Sequence, residues 1–287
     1  MKELVVISGK GGTGKTTVTA GLSSLGPKKV LADCDVDAAD LHLILKPTVR
    51  ATHEFFSGEL ASIDSSLCVE CGQCIEHCRY DAITPDFVVH KEHCEGCGAC
   101  EFVCPSGAAI MQERMCGHWY DSETRFGSMI HAALGIGEEN SGKLVTTVRK
   151  EARRVAEDAD VDLILTDGPP GVGCPVIASL GGTDMALAVA EPTLSAMHDL
   201  QRVHKLTEHF RVPMMAVINK SDINEEITEM IRQWCAESGV EIAGVLPYDQ
   251  TVTAAQIHGK SVVEYDPDGF GQKMQSIWEN VSKRLCD

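Results

Sequence analysis

The 287-residue sequence is poor in positive charge. Lysine and arginine total 25 against 42 aspartates and glutamates, so the formal net charge is −17. This balance disfavours binding to nucleic acid and to anionic membrane surfaces, and it suits a basic protein partner. Hydrophobic residues make up 44% of the chain and charged residues 23%, which is the composition of a folded globular protein and not of a disordered one.

Long apolar runs are also lacking. No run approaches the roughly 18–20 residues that a helix needs to cross a bilayer. No charged leader with a cleavage site precedes the first strand-like run at residues 4–8. We therefore expect a cytoplasmic protein. Cysteine, in contrast, occurs thirteen times. In a cytoplasmic enzyme, clustered cysteines indicate metal ligands rather than disulfides.

Short apolar runs alternate with longer helix-like segments along most of the chain. The predicted strands are 4–8, 29–33, 161–168, 185–191, 214–220 and 241–247. The predicted helices run from the glycine-rich loop to about residue 25, and over about 142–158, 195–210, 225–238 and 268–285. This alternation predicts a doubly wound α/β fold with a mainly parallel sheet. The strand runs are continuously apolar, as expected when helices cover both faces.

The alternation stops between about residues 63 and 111, where glycines and cysteines replace the apolar pattern. Two runs, 68–78 and 94–104, share the spacing C-x2-C-G-x-C-x3-C. An internal duplication is the simplest explanation. We expect an inserted module at 61–111, within a domain formed by 1–60 and 112–287.

The segment GKGGTGKT follows the first predicted strand and opens a helix. It matches the phosphate-binding pattern G-x4-G-K-[ST] in its expected context. Glycines let backbone N–H groups approach phosphates, Lys15 supplies a positive charge, and the Thr16 hydroxyl can ligate Mg²⁺. The predicted nucleotide-binding positions in this loop are Gly9, Gly11, Gly12, Thr13, Gly14, Lys15, Thr16 and Thr17.

The loop has an extra lysine, and KGGTGKT resembles the deviant P loop of the MinD/ParA superfamily, which includes the nitrogenase iron protein. The segments at 32–41 and 163–171 resemble the switch I segment and the Walker B and switch II segments of that superfamily. The resemblance implies that Lys10 reaches the phosphates of a second copy, so that ATP binding closes a homodimer. It also implies that Asp35 positions the attacking water, which makes Lys10, Lys15 and Asp35 the catalytic residues.

The same resemblance implies a magnesium site and a γ-phosphate sensor. Thr16, Asp33 and Asp167 would hold or support Mg²⁺, and Gly171 would sense the γ-phosphate. An acidic residue at the end of a buried strand can instead be a helix cap, and this alternative stays open for Asp33, Asp35 and Asp167.

Two later segments are implied to contact the base. In VINKSD, Asn219 would contact adenine, and in LPYD, Pro247 and Asp249 would line the base. NKSD also resembles the guanine-reading N-K-x-D of GTPases, so Asp222 leaves GTP open. Lys10 and the DGPPG segment favour ATP.

Each cysteine run has the spacing of two-cluster bacterial ferredoxins, in which the fourth cysteine of a run ligates the other cluster. We expect two [4Fe–4S] clusters, one held by Cys68, Cys71, Cys74 and Cys104, and the other by Cys94, Cys97, Cys100 and Cys78. Zinc is the alternative, although structural zinc sites usually pair C-x2-C elements across a spacer. Arg79 follows Cys78 where this pattern usually has proline.

The remaining cysteines carry weaker signals. Cys174 follows switch II, near where the nitrogenase iron protein places a cluster ligand, but a buried structural thiol is favoured. Cys116 is ambiguous. Cys34, Cys235 and Cys286 are expected to fill apolar space.

Together, these motifs resemble MinD-superfamily P-loop ATPases that contain an inserted ferredoxin domain. We therefore expect an ATP-hydrolysing iron–sulfur protein that couples nucleotide state to electron transfer or metallocluster handling with a redox or metallocluster protein partner. A MinD-like positioning switch with redox-sensing clusters is an alternative. An Mrp-like iron–sulfur carrier is another, although the ferredoxin module uses every C-x2-C pair. We expect the last helix, 268–285, to dock on the core and not on a membrane.

Overall fold

The computed structural model describes residues 1–135, 138 and 141–286. The strands are β1 Lys2–Ser8, β2 Val30–Asp33, β3 Thr48–Ile63, β4 Ala109–Thr124, β5 Gly127–Leu134, β6 Leu163–Pro170, β7 Met185–Ala190, β8 Met214–Ile218 and β9 Glu241–Val245. The helices are α1 Lys15–Ser23, α2 Leu41–Leu45, α3 Gln73–His77, α4 Ala99–Val103, α5 Ser141–Asp158, α6 Cys174–Leu180, α7 Leu194–Phe210, α8 Glu225–Glu237, α9 Gln250–Ile257, α10 Val262–Tyr265 and α11 Phe270–Cys286.

The strands form one sheet in the order β3-β4-β5-β2-β6-β1-β7-β8-β9. Within this order, every pair of neighbouring strands from β5 to β9 is parallel. All six predicted strands and the five predicted helices occur, with ends shifted by at most two residues. The mainly parallel α/β fold is therefore confirmed.

Three strands, β3, β4 and β5, were not predicted. β3 is mostly exposed, so its sequence has no continuous apolar run to reveal it. β5 is a buried strand, but its run GSMIHAAL mixes glycine, serine and histidine with apolar residues. The rule used for the other strands, a short uninterrupted apolar run, therefore misses all three.

Alternate residues of the central strands pack into two apolar layers, one on each face of the sheet. Leu4 and Val6 of β1 belong to one core, together with buried side chains of α1 and α11. Val5 and Ile7 belong to the other core, together with buried side chains of α6 and α7. The predicted apolar face of α11 is buried in the first core, so this helix docks on the sheet as expected; its members are Phe270, Met274, Ile277, Trp278, Val281 and Leu285. Each such side chain contributes roughly 1.5–3 kcal/mol by leaving water.

The chain forms two compact units. The first contains Met1–His53, Trp119–Ala133 and the chain from Ser141 onward, and the second contains Glu54–His118 and Leu134–Asn140. The second unit extends further at both ends than the expected 61–111 module. The reason is that β3 and β4 are long strands whose distal parts, 54–63 and 109–118, belong to it. In the described residues, no helix is long and apolar enough to cross a membrane.

Within the second unit, the two cysteine runs fold alike. Gly72 and Gly98, one per run, cap the short helices α3 and α4 in the left-handed conformation, with φ of 76° and 73°. A side chain at either position would be strained. The fourth cysteines, Cys78 and Cys104, both end their helices at φ −76°, with ψ of 109° and 110°. The repeated sequence therefore adopts a repeated backbone.

Candidate functional site

The glycine-rich loop places Lys15 beside the carboxylates of Asp35 and Asp167, at the carboxyl edge of the sheet. Its Nζ lies 3.1 Å from Asp167 Oδ1 and 3.3 Å from Asp35 Oδ2. The hydroxyl of Thr16 donates to Asp167 Oδ2 at 2.8 Å. Asp33 and Asp167 are register partners on the parallel strands β2 and β6, which explains why residues so distant in sequence meet here. The structure thus brings together Lys15, Thr16, Asp33, Asp35 and Asp167.

Three carboxyl groups lie around the buried Lys15. Burial, followed by the neighbouring charge of Asp167, raises the pKa of Asp33 well above its usual value. Burial also raises the pKa of Asp35, against the opposing effect of Lys15. For Lys15 itself, burial lowers the pKa, but the carboxylates outweigh burial and the net pKa is raised. The site therefore holds more carboxyl groups than one lysine can balance in their ionised form.

One oxygen in this group has no partner in the described structure: Asp33 Oδ2 is buried and makes no hydrogen bond. The other oxygen, Oδ1, accepts the N–H of Asp35 at 3.1 Å, which fixes the carboxyl orientation. An orphaned carboxylate oxygen beside two further carboxylates and the Thr16 hydroxyl offers the oxygen ligands that Mg²⁺ prefers. The residues present fit that ion.

The backbone of the loop needs glycine at specific points. Gly12 and Gly14 have φ of 80° and 93°, the left-handed region that other residues rarely adopt. A Cβ at Gly14 would also collide with the Asn219 amide. That amide donates to Thr13 O at 2.8 Å. Asn219 therefore holds the loop in place, a role that the sequence did not suggest.

Two further residues at the loop were missed. The hydroxyl of Thr19 lies 2.8 Å from Asp167 Oδ1, so this aspartate is held from three sides. Lys220 donates to Gly12 O at 2.9 Å. The sequence signal for Thr19 was available, since it follows Lys15 by one helical turn and so lies on the same face of α1.

A cavity of about 690 Å³ opens beside the loop. Its lining includes the predicted positions Gly11, Gly12, Gly14, Lys15, Thr16, Thr17, Asp35, Asn219, Pro247 and Asp249. Leu43, Ile44, Tyr248, Val252 and Gln256 also line it. This volume and this mixture of phosphate-binding backbone and apolar wall suit a nucleotide.

Six other predicted positions lie in the same compact unit but do not line this cavity: Gly9, Lys10, Thr13, Asp33, Asp167 and Gly171. The N–H of Gly171 donates to Ser8 O at 2.8 Å. Lys10 pairs with Glu191 at 2.8 Å.

Asp249, which lines the cavity, accepts the Thr251 N–H at 2.8 Å and caps α9.

The GTP alternative depends on Asp222. Its Oδ1 accepts the backbone N–H of Tyr248 at 2.6 Å, and the residue does not line the cavity. This carboxylate joins two loops in the described structure, so one of its oxygens is already engaged. The residue on which guanine recognition would depend therefore lies outside the lining of the cavity.

In the second unit, cysteines of different runs lie together. A small cavity is lined by Cys78 from the first run and by Cys94, Cys97 and Cys100 from the second. Cys74 interacts electrostatically with Cys68 and with Cys104, again across the runs. In the part of the chain that the structure describes, no three His, Cys, Asp or Glu side chains converge as a ready metal site, so ligation would require side chains to turn toward a common centre.

Backbone N–H groups point at the fourth cysteine of each run. Ala82 N–H donates to Cys78 Sγ and Ala109 N–H to Cys104 Sγ, each at 3.4 Å. The Ala109 N–H and the Ser106 hydroxyl lower the pKa of Cys104 to about 7. Thiolates are the ligands of iron–sulfur clusters, and N–H donors to sulfur tune such sites. The thiol groups are of the chemical type that such a cluster uses, but in the described residues they do not converge on one site.

The other cysteines divide by exposure. Cys34, Cys116 and Cys235 are buried, whereas Cys174 and Cys286 are exposed. The expectations of a buried thiol at Cys174 and an apolar filler at Cys286 are therefore wrong. Cys174 is the first residue of α6, and Cys286 is the last residue of α11; helix ends leave side chains in solvent.

The chain is similar to known proteins in both sequence and fold. Residues 4–262 match the model of the CobQ/CobB/MinD/ParA nucleotide-binding domain. An uncharacterised protein of Methanocaldococcus jannaschii is 36% identical over 225 residues, which cover 77% of this chain and 79% of that protein. The MinD cell-division ATPase of Pyrococcus furiosus has a similar fold, with a TM-score of 0.59, 21% identity and 98% of each chain covered. MinD of Pyrococcus horikoshii, solved with Mg-ADP, also has a TM-score of 0.59, with 20% identity and 98% and 96% coverage.

Proposed function

Because the chain belongs to the CobQ/CobB/MinD/ParA nucleotide-binding family, we propose that it is an iron–sulfur ATPase. In this proposal ATP binding closes a homodimer, and nucleotide state is coupled to electron transfer or metallocluster handling with a basic protein partner. The observation that carries the ATPase part is the meeting of Lys15 with Asp35 and Asp167 beside the nucleotide-sized cavity.

Each residue of the site has a role that its position supports. Lys15 neutralises charge on the transferring phosphoryl group, and Asp35, which lines the cavity, orients the attacking water. Thr16, Asp33 and Asp167 would hold Mg²⁺ directly or through water. When bound, that ion neutralises charge on the phosphate oxygens. Lys10 would act on the phosphates of the second copy.

The cluster part of the proposal rests on the sharing of one cavity by Cys78 with the second run. One cluster would be held by Cys68, Cys71, Cys74 and Cys104, and the other by Cys94, Cys97, Cys100 and Cys78. The electrostatic proximity of Cys74 to Cys104 supports the first set. Such clusters supply one-electron redox chemistry.

A second candidate function is a MinD-like switch, in which ATP state controls binding to a partner or to a membrane. The similarity to solved MinD structures over nearly the whole chain favours it. In this case the unit that contains the cysteine runs would sense redox state and would not transfer electrons to a partner. Binding to anionic liposomes with ATP, in the oxidised and reduced protein, separates the two candidates: ATP-dependent binding supports the switch.

The ATPase assignment is tested with Lys15→Ala and Asp35→Ala. We expect each variant to lose hydrolysis by about 10²-fold or more, because each removes a group that acts on the transition state. The matched control is Asp158→Ala, at an exposed aspartate of α5 that does not line the cavity. Unchanged hydrolysis in either test variant would refute the catalytic roles. Competition of ATP with GTP tests the base preference, and tighter binding of GTP would overturn it.

The cluster assignment is tested by anaerobic purification followed by quantification of iron, sulfide and zinc. Two four-iron clusters require about eight iron and eight sulfide per chain. Zinc in place of iron would refute the redox proposal while leaving the ATPase assignment intact.

A further inference from the structure

The side chain of Lys10 is bound by a turn of its own chain. Its Nζ lies 2.8 Å from Glu191 Oε1, 3.2 Å from Thr193 Oγ1 and 3.3 Å from Ser195 Oγ. An ammonium group has three N–H donors, and these three acceptors can engage all of them. All the acceptors belong to the five residues between β7 and the first turn of α7, so a single short segment forms the whole receptor.

Glu191 also binds a second lysine. Its other oxygen, Oε2, lies 3.0 Å from Lys220 Nζ, and this ammonium also donates to Gly12 O in the phosphate loop. Burial alone raises the pKa of Glu191, but the hydrogen bonds from Lys10 and Lys220 outweigh burial and hold its pKa below the usual range. The carboxylate is therefore ionised when it holds both lysines.

The two lysines differ in their relation to the nucleotide cavity. Lys220 lines it, and Lys10 does not. Lys220 also has a left-handed backbone, with φ of 55°. Such a conformation is unfavourable for lysine by roughly 1–2 kcal/mol, and it delivers the ammonium to Gly12 and Glu191. Glu191 thus links a lysine at the cavity wall to one outside it.

We propose that the turn from Glu191 to Ser195 is a resting site for the Lys10 ammonium, and that release from this site controls how readily two chains pair on ATP. The second part rests on the proposed function, in which Lys10 acts on the phosphates of a partner copy. One ammonium cannot bind Glu191 and a partner's phosphate at the same time. Glu191 is accordingly a positioning residue for Lys10.

The resting site is tested without nucleotide by measuring the acylation rate of each lysine with an amine-reactive ester, followed by mass spectrometry. Glu191→Gln keeps the shape of the side chain and removes its charge. We expect Lys10 to be acylated several-fold faster in this variant than in the wild type. Glu208→Gln is the matched control, because it removes the same charge from α7 at an exposed residue whose ion-pair partner is His204. Equal Lys10 rates in all three proteins would overturn the resting site.

The control of pairing is tested by sedimentation with a non-hydrolysable ATP analogue. We expect Glu191→Gln to pair at a several-fold lower protein concentration than the wild type. The double variant Glu191→Gln with Lys10→Ala should behave as Lys10→Ala alone, because Glu191 acts through Lys10. A merely structural role for Glu191 would instead give an added effect in the double variant, and that result would overturn the control of pairing.

The two measurements separate this inference from the function on which it rests. If Lys10 is protected by Glu191 but no protein pairs with the analogue, the homodimer proposal fails and the control of pairing fails with it, while the resting site is supported. If the wild type pairs and Glu191→Gln pairs no better, the homodimer stands and the control of pairing is overturned.

Discussion

At the scale of single residues, the phosphate site is a cluster of charges held in unfavourable surroundings. Asp33 is fully buried beside Asp167, and one of its oxygens has no partner in the described structure. Such an arrangement lowers stability in the absence of a cation. We therefore expect this site to lower the free energy of unfolding of the nucleotide-free chain.

Asp33→Asn tests this idea. A carboxyl whose pKa is higher in the folded than in the unfolded chain binds more protons when folded, so its contribution to stability falls as pH rises from the unfolded pKa toward the folded one. Asparagine does not titrate. Without Mg²⁺ or nucleotide, we expect the variant to gain about 1 kcal/mol or more in the free energy of unfolding at pH 7, and less at pH 4. Urea unfolding at both pH values measures the gain. A loss of stability at pH 7 would contradict the prediction, as would a gain that does not depend on pH.

At the scale of elements, one buried arginine joins several of them. Arg149 of α5 binds Glu3 of β1 at 2.7 Å. It also donates to Ala178 O and Gly181 O, at the end of α6, and to the Thr183 hydroxyl. Each carbonyl near the end of α6 would otherwise lack a partner. This side chain therefore ties the first strand to two helices on one face of the sheet.

Arg149→Met should remove that tie while keeping an unbranched side chain. The carboxylate of Glu3 would stay buried with Arg153 as its remaining ion-pair partner among the described residues. We expect a loss of about 2 kcal/mol or more in the free energy of unfolding, because Glu3 keeps only Arg153 and the buried acceptors near the end of α6 lose their donor. Arg154→Met, at an exposed ion pair on the same helix, should cost far less, because solvent screens that pair. Denaturant unfolding compares the two, and equal losses would refute the special role of Arg149.

At the scale of the whole molecule, the chain interrupts one compact unit with another. The second unit includes two similar cysteine runs whose fourth cysteines lie with the opposite run. If each cluster draws on both runs, the two halves of that unit are stabilised together, and removal of one ligand should affect both runs.

Cysteine pairs test this crossing. Cys78→Ser should reduce iron from about eight to about four atoms per chain. Cys78→Ser with Cys97→Ser should retain about four, because both residues are assigned to the same cluster. Cys78→Ser with Cys71→Ser should retain close to none. Cys286→Ser, at an exposed cysteine outside the runs, is the control and should keep about eight. The reverse pattern in the two double variants would show that each run holds its own cluster.

The sequence by itself determined the parallel sheet, because strands covered on both faces must be continuously apolar, and the phosphate loop, because its glycines and lysine are adjacent in the chain. It could not reveal β3, since that strand is mostly exposed and lacks the apolar run on which the prediction depended. Nor could it show that Asn219 holds the loop through Thr13, because that contact joins residues far apart in the chain.

Only the tertiary structure decided where Lys10 and Asp222 point. Both occur in motifs that predict phosphate or base contacts, yet Lys10 binds Glu191 and Asp222 binds the Tyr248 N–H. A motif specifies which chemical groups are available. Their partners depend on which strand ends the sheet places side by side, and strand order is a property of the folded chain.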